Sequence, residues 1–448
     1  MPELGEVAHA ASVFAKFAAG KKVAEAEIQP DKIVFGSETG HEALQKALEN
    51  RVITGVTRHG KYWWLSLEGD SDNAVLMHFG MTGYISVKGH KTHYIMMENG
   101  GDKKARDRLD RIRGDGGVVE EKAANGQSIL AANGGEIPTD VSMLEELEEE
   151  DRGKQTWPPR FVKMELTLED GTKLAFYDAR RLARVKLFTI ATPLDIYKVE
   201  PMKKLGPDYS KSADDADTPA ELKPLDLEAF KAKIQAKKAP IKSVLLDQSL
   251  FSGVGNWVAD EILYHSRVHP ARLCNLLLES QIDELYKQLV LICQFVVKVE
   301  GNTLLFPLNW LMLNRWGKRN KNKKSYTLEG YEVDHVTVGG RTSSFCPELQ
   351  HNGPPKEKTA TKRVKFDGIK TDDEEEPPKE LTRTVKEEGE NGTEETEEDT
   401  QPKPKKRRKK VKVEEDLLPL VDAVEAKDKS ILDAQANSRA ERAKRRRS

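Results

Sequence analysis

The chain has 448 residues, 33% of them charged and 38% hydrophobic, with a formal net charge of −2. That length can bury two or three separate cores, while the polarity is too high for a wholly globular chain, so a substantial part is expected to stay disordered. No apolar run reaches membrane-spanning length, no signal peptide is expected, and the three cysteines (Cys274, Cys293, Cys346) have no C-x-x-C spacing, which argues against a disulfide framework or a cysteine-rich zinc site.

The chain opens Met1-Pro2-Glu3. Trimming of Met1 would leave Pro2 as a free secondary amine beside a carboxylate. An α-amino group has a pKa of about 7.7–8.0 against about 10.4 for lysine, so it is neutral and nucleophilic far more often near pH 7. Its adduct with an aldehyde-level carbon is an iminium, which has no N–H to lose and acts as an electron sink. Downstream, Val7, Ala11, Phe14 and Ala18 recur at helical spacing and predict a helix over 7–19, with Gly20 closing it. From about 22 to 90 the pattern is strand-like, in runs such as Tyr62-Trp63-Trp64-Leu65 and Val75-Leu76-Met77-His78-Phe79. Residues 95–156, with glycine pairs and the acidic run Glu145–Asp151, predict a mostly disordered surface insertion.

Order resumes at Trp157. Phe161–Leu168 and Lys173–Tyr177 predict strands joined at Asp170-Gly171, and Arg184–Phe188 predicts another. After Pro193 the periodicity becomes helical over 226–238, 240–250, 256–266 and 278–300, and 326–346 reads as one β-hairpin. Strands first and helices second predict an α+β chain of two segregated domains. Beyond about 352 the composition predicts a disordered tail. Its clusters Lys403–Lys410 and Lys444–Arg447 point to nuclear import through an import receptor, with non-specific phosphate attraction.

Several short motifs carry chemistry. Gly253-Val254-Gly255-Asn256 permits a sharp turn and sets Asn256 at the N-cap of a helix, where exposed N–H groups suit a phosphate. Lys61 follows Gly60 at a strand edge. His78-Phe79-Gly80-Met81-Thr82-Gly83 puts Met81 on a glycine-flanked turn, a position from which an apolar side chain can enter a base stack. Asp178-Ala179-Arg180-Arg181 offers guanidinium groups, and Gly339-Gly340-Arg341-Thr342 places an arginine on a flexible turn. Taken singly, each has an ordinary structural explanation.

In their order and approximate spacing, these motifs resemble the formamidopyrimidine-DNA glycosylase family, which includes endonuclease VIII-like enzymes, over residues 1–90 and 157–350. The stretch Gly339–Gln350 looks most like plant and fungal members. The resemblance implies an N-terminal β-sandwich domain with an N-terminal helix (1–196), a helical domain with a helix-two-turn-helix (197–325) and a β-hairpin finger (326–350) without zinc. It implies that Pro2 attacks C1′ of the damaged nucleotide and that Glu3 protonates the sugar ring oxygen. Glu6 and Glu261 would line the base pocket. Lys61, Lys242 and Asn256 would hold phosphates around the flipped nucleotide, Lys61 within the catalytic group. His78 would touch DNA, Met81 and Arg180 would fill the gap left in the duplex, and Arg341 would grip the flanking phosphates. Double-stranded DNA with damaged bases or abasic sites would be the partner of a monomeric nuclear enzyme that needs no metal or cofactor and meets no membrane.

Departures from the family pattern carry their own expectations. Gly5 stands where the family usually has proline and Ala8 where it often has glutamate, and both would loosen the N-terminal turn. Leu182 replaces a wedge phenylalanine. Phe306–Trp310 occupies the place of a loop that caps 8-oxoguanine in bacterial members, so ring-opened purines and hydantoins would be better substrates. A non-catalytic DNA or chromatin binder on the same scaffold, and a ribosome-associated RNA binder, are the rival readings.

Overall fold

The computed structural model describes residues 2–69, 72–90, 156–315 and 324–353. The expected insertion and tail, with both basic clusters, lie outside the described residues apart from their edges. Helix α1 (Leu4–Ala18) leads into strand β1 (Val23–Ile28), short helices α2 (Lys32–Phe35) and α3 (Gly40–Leu48), and strands β2 (Ile53–His59), β3 (Tyr62–Leu67), β4 (Asp72–His78) and β5 (Gly83–Val87). Strands β6 (Val162–Leu168), β7 (Lys173–Asp178) and β8 (Arg184–Ile190) complete the β region.

All pairings are antiparallel, and they form two four-stranded sheets in the orders β1-β6-β7-β5 and β2-β3-β4-β8. Their inner faces pack on one another as a sandwich: Trp63, Leu65, Val75 and Met77 from one sheet share a core with Ala26, Met164, Leu166 and Phe176 from the other. Alternate residues point to alternate faces, which is why each strand contributes every second side chain to that core.

The 22–90 region is not purely β. Asp31 caps α2 by accepting from the Ile33 and Val34 N–H groups, and α3 buries Leu44 and Leu48. The stretch Glu42–Leu48 is rich in strong helix formers, a local signal that the surrounding strands mask. Helix α1 also begins three residues before the expected start, because Glu6 accepts from the Glu3 N–H at 3.1 Å and holds the first turn.

The second half is helical: α4 (Leu227–Gln235), α5 (Ile241–Leu245), α6 (Asn256–His265) and α7 (Glu279–Lys298). Phe230, Leu245, Phe251, Val258, Leu285, Leu289 and Ile292 form its core. The segment α5–turns–α6, with Leu250 and Phe251 N–H groups both bonded to the Asp247 carbonyl, is the helix-two-turn-helix. Beyond it, β9 (Ser325–Tyr326), β10 (Glu332–Val338) and β11 (Arg341–Phe345) form a three-stranded finger, one short strand more than the expected hairpin.

Helix α1 belongs to both cores. Val7, Ala10 and Phe14 lie in the sandwich core, while Leu4 is fully buried in the helical one. The chain's first turn is thereby wedged where the two halves meet. Gly5 shows how tightly. A Cβ there would lie 2.4 Å from Val296 Cγ1 and 3.0 Å from Gly301 Cα. The expectation that Gly5 loosens the turn is therefore overturned: glycine at this position lets α1 seat directly on α7. Ala8 is likewise buried.

Candidate active site

Three chain segments converge on the first residues. Pro2 is buried, and Glu3 is only 3% exposed. The Glu3 carboxylate reaches across to the start of α6, where it accepts from the Trp257 N–H at 3.1 Å and the Val258 N–H at 3.2 Å. The sequence motif was expected to present Asn256 as the N-cap and leave the helix N-terminus open to a phosphate. Instead Gly255 is the N-cap, and Glu3 satisfies the helix's leading N–H groups. Anionic groups are favoured at that position by the helix dipole and the unpaired donors. A Cβ on Gly255 would fall 2.0 Å from Glu3 Cδ, so glycine is what admits the carboxylate.

Glu6 lies beside Glu3. Burial, reinforced by the neighbouring Glu3 charge, pushes its carboxyl from 4.5 up to about 7, against backbone N–H groups that pull it down. A carboxyl balanced near neutrality can give or take a proton at working pH. Lys61 is 6% exposed, and its Nζ donates to the Val254 carbonyl at 3.1 Å, which brings the β2–β3 turn onto the 253–255 turn. Gly60, at φ +59°, makes that approach possible, since a Cβ would lie 2.9 Å from the Gly253 nitrogen. Asp208 fixes the same turn by accepting from the Gly60 N–H at 2.8 Å and from Arg58 Nη1 at 2.7 Å. Burial opposes the charge on Asp208, but Arg58 holds its carboxyl well below the usual range.

Asn256, released from capping, donates through Nδ2 to the Thr342 carbonyl at 2.9 Å and so ties α6 to the finger, one residue from Arg341. The finger's turn rests on α5: a Cβ on Gly339 would lie 2.6 Å from Ser243 Oγ. Arg341 itself is exposed. Pro2, Glu3, Glu6, Lys61 and Asn256 thus meet at one junction, with Arg341 at its rim.

Two expected site residues are placed differently. Lys242 is completely buried, and its ammonium donates to Asp260 and, at 2.6 Å, to the Asn256 carbonyl. Asp260 also accepts from Arg315 Nη2 at 2.6 Å. Burial lowers the Lys242 amine, against the pull of Asp260. In this arrangement Lys242 ties α5 to α6, whose Asp260 in turn holds Arg315 of the segment leading to the finger, and Lys242 does not stand open to a phosphate. Glu261 does not line a base pocket. Its carboxylate accepts from the Leu311 and Met312 N–H groups at 3.0 and 2.7 Å, so that Glu261 holds the start of the 3-10 turn Leu311–Asn314, and it also accepts from His265. The adjacent acids Asp260 and Glu261 were missed as a scaffold because the segment they hold, through Leu311, Met312 and Arg315, lies about fifty residues away in the chain. Phe306 and Trp310 are buried against one another, and Phe306 also meets Trp257, so 306–310 is part of the core.

A second group sits at one end of the sandwich. His78, half-buried, accepts at Nδ1 from the Gly80 N–H. Burial first, then Lys61 and Arg184, lower its pKa to about 4, so the ring is neutral at pH 7. Met81 is half-buried, Arg180 is exposed and Leu182 is 38% exposed. Among the described residues, no group of three or more His, Cys, Asp or Glu is arranged to hold a metal ion, and no helix is long and apolar enough to cross a membrane.

Comparison with known proteins agrees with this architecture. Residues 1–185 match the formamidopyrimidine-DNA glycosylase N-terminal domain, and residues 217–307 match the formamidopyrimidine-DNA glycosylase H2TH domain. A formamidopyrimidine-DNA glycosylase of Arabidopsis thaliana is 29% identical over 372 residues, covering 83% of this chain and 76% of the relative. One from Streptococcus pneumoniae is 24% identical over 357 residues, covering 78% of this chain and 99% of the relative. The Lactococcus lactis Fpg protein, solved with DNA containing an oxidised pyrimidine, shares the fold at a TM-score of 0.51 and 21% identity, covering 78% of this chain and all of that one. Two matched domains in order, a sandwich and a helix-two-turn-helix in the same order, and an N-terminal Pro-Glu pair seated between them lead to one conclusion: the chain belongs to the formamidopyrimidine-DNA glycosylase family.

Proposed function

We propose that the chain is a bifunctional DNA glycosylase and abasic-site lyase of base excision repair, acting on oxidised or ring-opened bases, with formamidopyrimidines and hydantoins preferred to 8-oxoguanine. The observation that carries this reading is the seating of Glu3 on the first N–H groups of α6, which fixes Pro2 at the junction of the two halves. With Met1 removed, the Pro2 secondary amine attacks C1′ of a nucleotide turned out of the duplex, the base leaves with a proton, and an iminium remains. That cation acidifies the 2′ proton; its loss expels the 3′ phosphate, and a second elimination expels the 5′ phosphate. Glu3 protonates the ring oxygen as the sugar opens, and Glu6, balanced near pH 7, exchanges protons beside it. Arg341 and Asn256 face the flanking phosphates from the finger and from α6. The burial of Phe306 and Trp310 supports the substrate order, because among the described residues this segment is anchored in the core and does not stand free to fold over a purine.

The same proposal makes the protein a nuclear monomer with a zincless finger, imported through Lys403–Lys410. Borohydride reduction with abasic duplex DNA is the test. Untagged, Met1-processed protein should give a covalent adduct mapping to Pro2, and a chain blocked at its N-terminus should give none. DNA binding without an adduct would instead establish a non-catalytic DNA or chromatin binder.

A further inference from the structure

At one end of the sandwich the chain crosses between sheets twice. Residues 79–82 carry it from β4 to β5, and residues 179–183 carry it from β7 to β8. Register puts the crossings side by side, with Gly83 opposite Asp178 and His78 opposite Arg184. Their backbones touch: Gly80 has φ +62°, and a Cβ on it would fall 2.4 Å from the Leu182 carbonyl carbon.

The Asp178 carboxylate lies in this seam, 1% exposed. Oδ1 accepts from the Thr82 hydroxyl at 2.5 Å and from the Arg180 N–H at 3.1 Å, and Oδ2 accepts from the Ala183 N–H at 2.7 Å. One buried carboxylate therefore bonds both loops, through a side chain of one and two backbone groups of the other. A second tie holds the 179–183 loop from outside. Arg181, at φ +57°, forms a two-pronged pair with Asp31 at 2.9 and 3.0 Å, and Lys163 approaches the same carboxylate at 3.0 Å. Burial opposes the charge on Asp31, but Arg181 and Lys163 hold its carboxyl well below the ordinary range.

Met81, Arg180 and Leu182 project from these two loops. We propose that Asp178 is a positioning residue which, through Thr82 and the 180–183 backbone, holds those three side chains as one preformed wedge for the gap a flipped nucleotide leaves. This rests on the proposed glycosylase reading. Ordering the loops during folding removes that cost from DNA binding, and a small misplacement of such groups is expensive in rate.

The test compares covalent trapping on an abasic site in a duplex with trapping on the same strand alone, where no gap needs filling. Thr82→Val removes both cross-loop bonds of the hydroxyl, the one it donates to Asp178 and the one it accepts from the Arg180 N–H at 3.2 Å, and leaves the other Asp178 bonds in place; Thr82→Ser restores a hydroxyl, and Asp178→Asn disrupts the whole seam. Thr82→Val should lower the duplex rate about tenfold or more and leave the single-strand rate unchanged, Thr82→Ser should recover the duplex rate, and Asp178→Asn should exceed Thr82→Val. An unchanged duplex rate in Thr82→Val overturns the clamp, as does an equal loss on both substrates. A wild-type chain that traps neither substrate overturns the glycosylase reading itself, and the clamp with it.

Discussion

Glu3, Glu6, Lys61 and Lys242 are at most 6% exposed, whereas Arg180, Leu182 and Arg341 stand in solvent. Glu3, Glu6 and Lys61 lie at the junction of the two halves, where backbone N–H groups and a carbonyl bond them, and Lys242 lies between α5 and α6, where Asp260 and the Asn256 carbonyl hold it. Arg180 and Leu182 sit on a loop whose backbone is clamped, and Arg341 opens β11 beside the finger's turn, while the side chains stay outside. Under the proposed function the difference follows from the two tasks. Groups that act on C1′ work best in a dry, fixed setting, where electrostatic effects are large. Groups that fill a duplex or grip phosphates must begin in water and meet DNA there.

If the junction depends on exact fit, the smallest added atom should damage it most. Gly255→Ala places a methyl group against the Glu3 carboxylate. The expected loss of trapping rate is about a hundredfold or more, with overpacking costing about 1–3 kcal/mol by thermal unfolding. Near-normal activity in this variant would mean that Glu3 does not work from the α6 N-terminus.

A pair of cation substitutions separates buried from exposed charge. Lys242→Met leaves Asp260 with one partner fewer and should cost about 3–5 kcal/mol, with the salt dependence of DNA binding unchanged. Arg341→Ala should leave stability alone and lower the salt slope by about one unit. A fall in slope for Lys242→Met would return that ammonium to the phosphates.

The mildest change is titration of Glu6. Its folded pKa is raised to about 7 from 4.5, so the folded state binds the proton more tightly than the unfolded one. Its contribution to stability is fully present below 4.5 and is lost as pH rises through 7. Glu6→Gln should flatten the stability profile across that window in chemical denaturation, and a profile still falling there would assign the effect to another group.

Much of the fold was legible locally. Helices α1, α4, α6 and α7 lie within a few residues of their expected places, because apolar spacing at the helical period marks them, whereas the helix expected over 240–250 ends at Leu245, where the turns before α6 begin. The α2–α3 pair was hidden among strands, and the short β9 had no period to read. Among the candidate site residues, motif order singled out Pro2, Glu3, Lys61 and Asn256, which the fold brings to one junction, but could not show what each one touches. Lys242 and Glu261 have ligand-like positions in the sequence, and only folding turned them inward.

The amino-acid sequence by itself determined the succession of strands and helices, the glycine turns and the Pro-Glu opening, since these follow from backbone preference and side-chain chemistry. Tertiary structure alone decided that Glu3 caps α6, that Gly5 is a contact and not a hinge, and that Asp178 joins two loops. Each of those outcomes depends on groups far apart in the chain meeting within a few ångströms, a relation that no local pattern encodes.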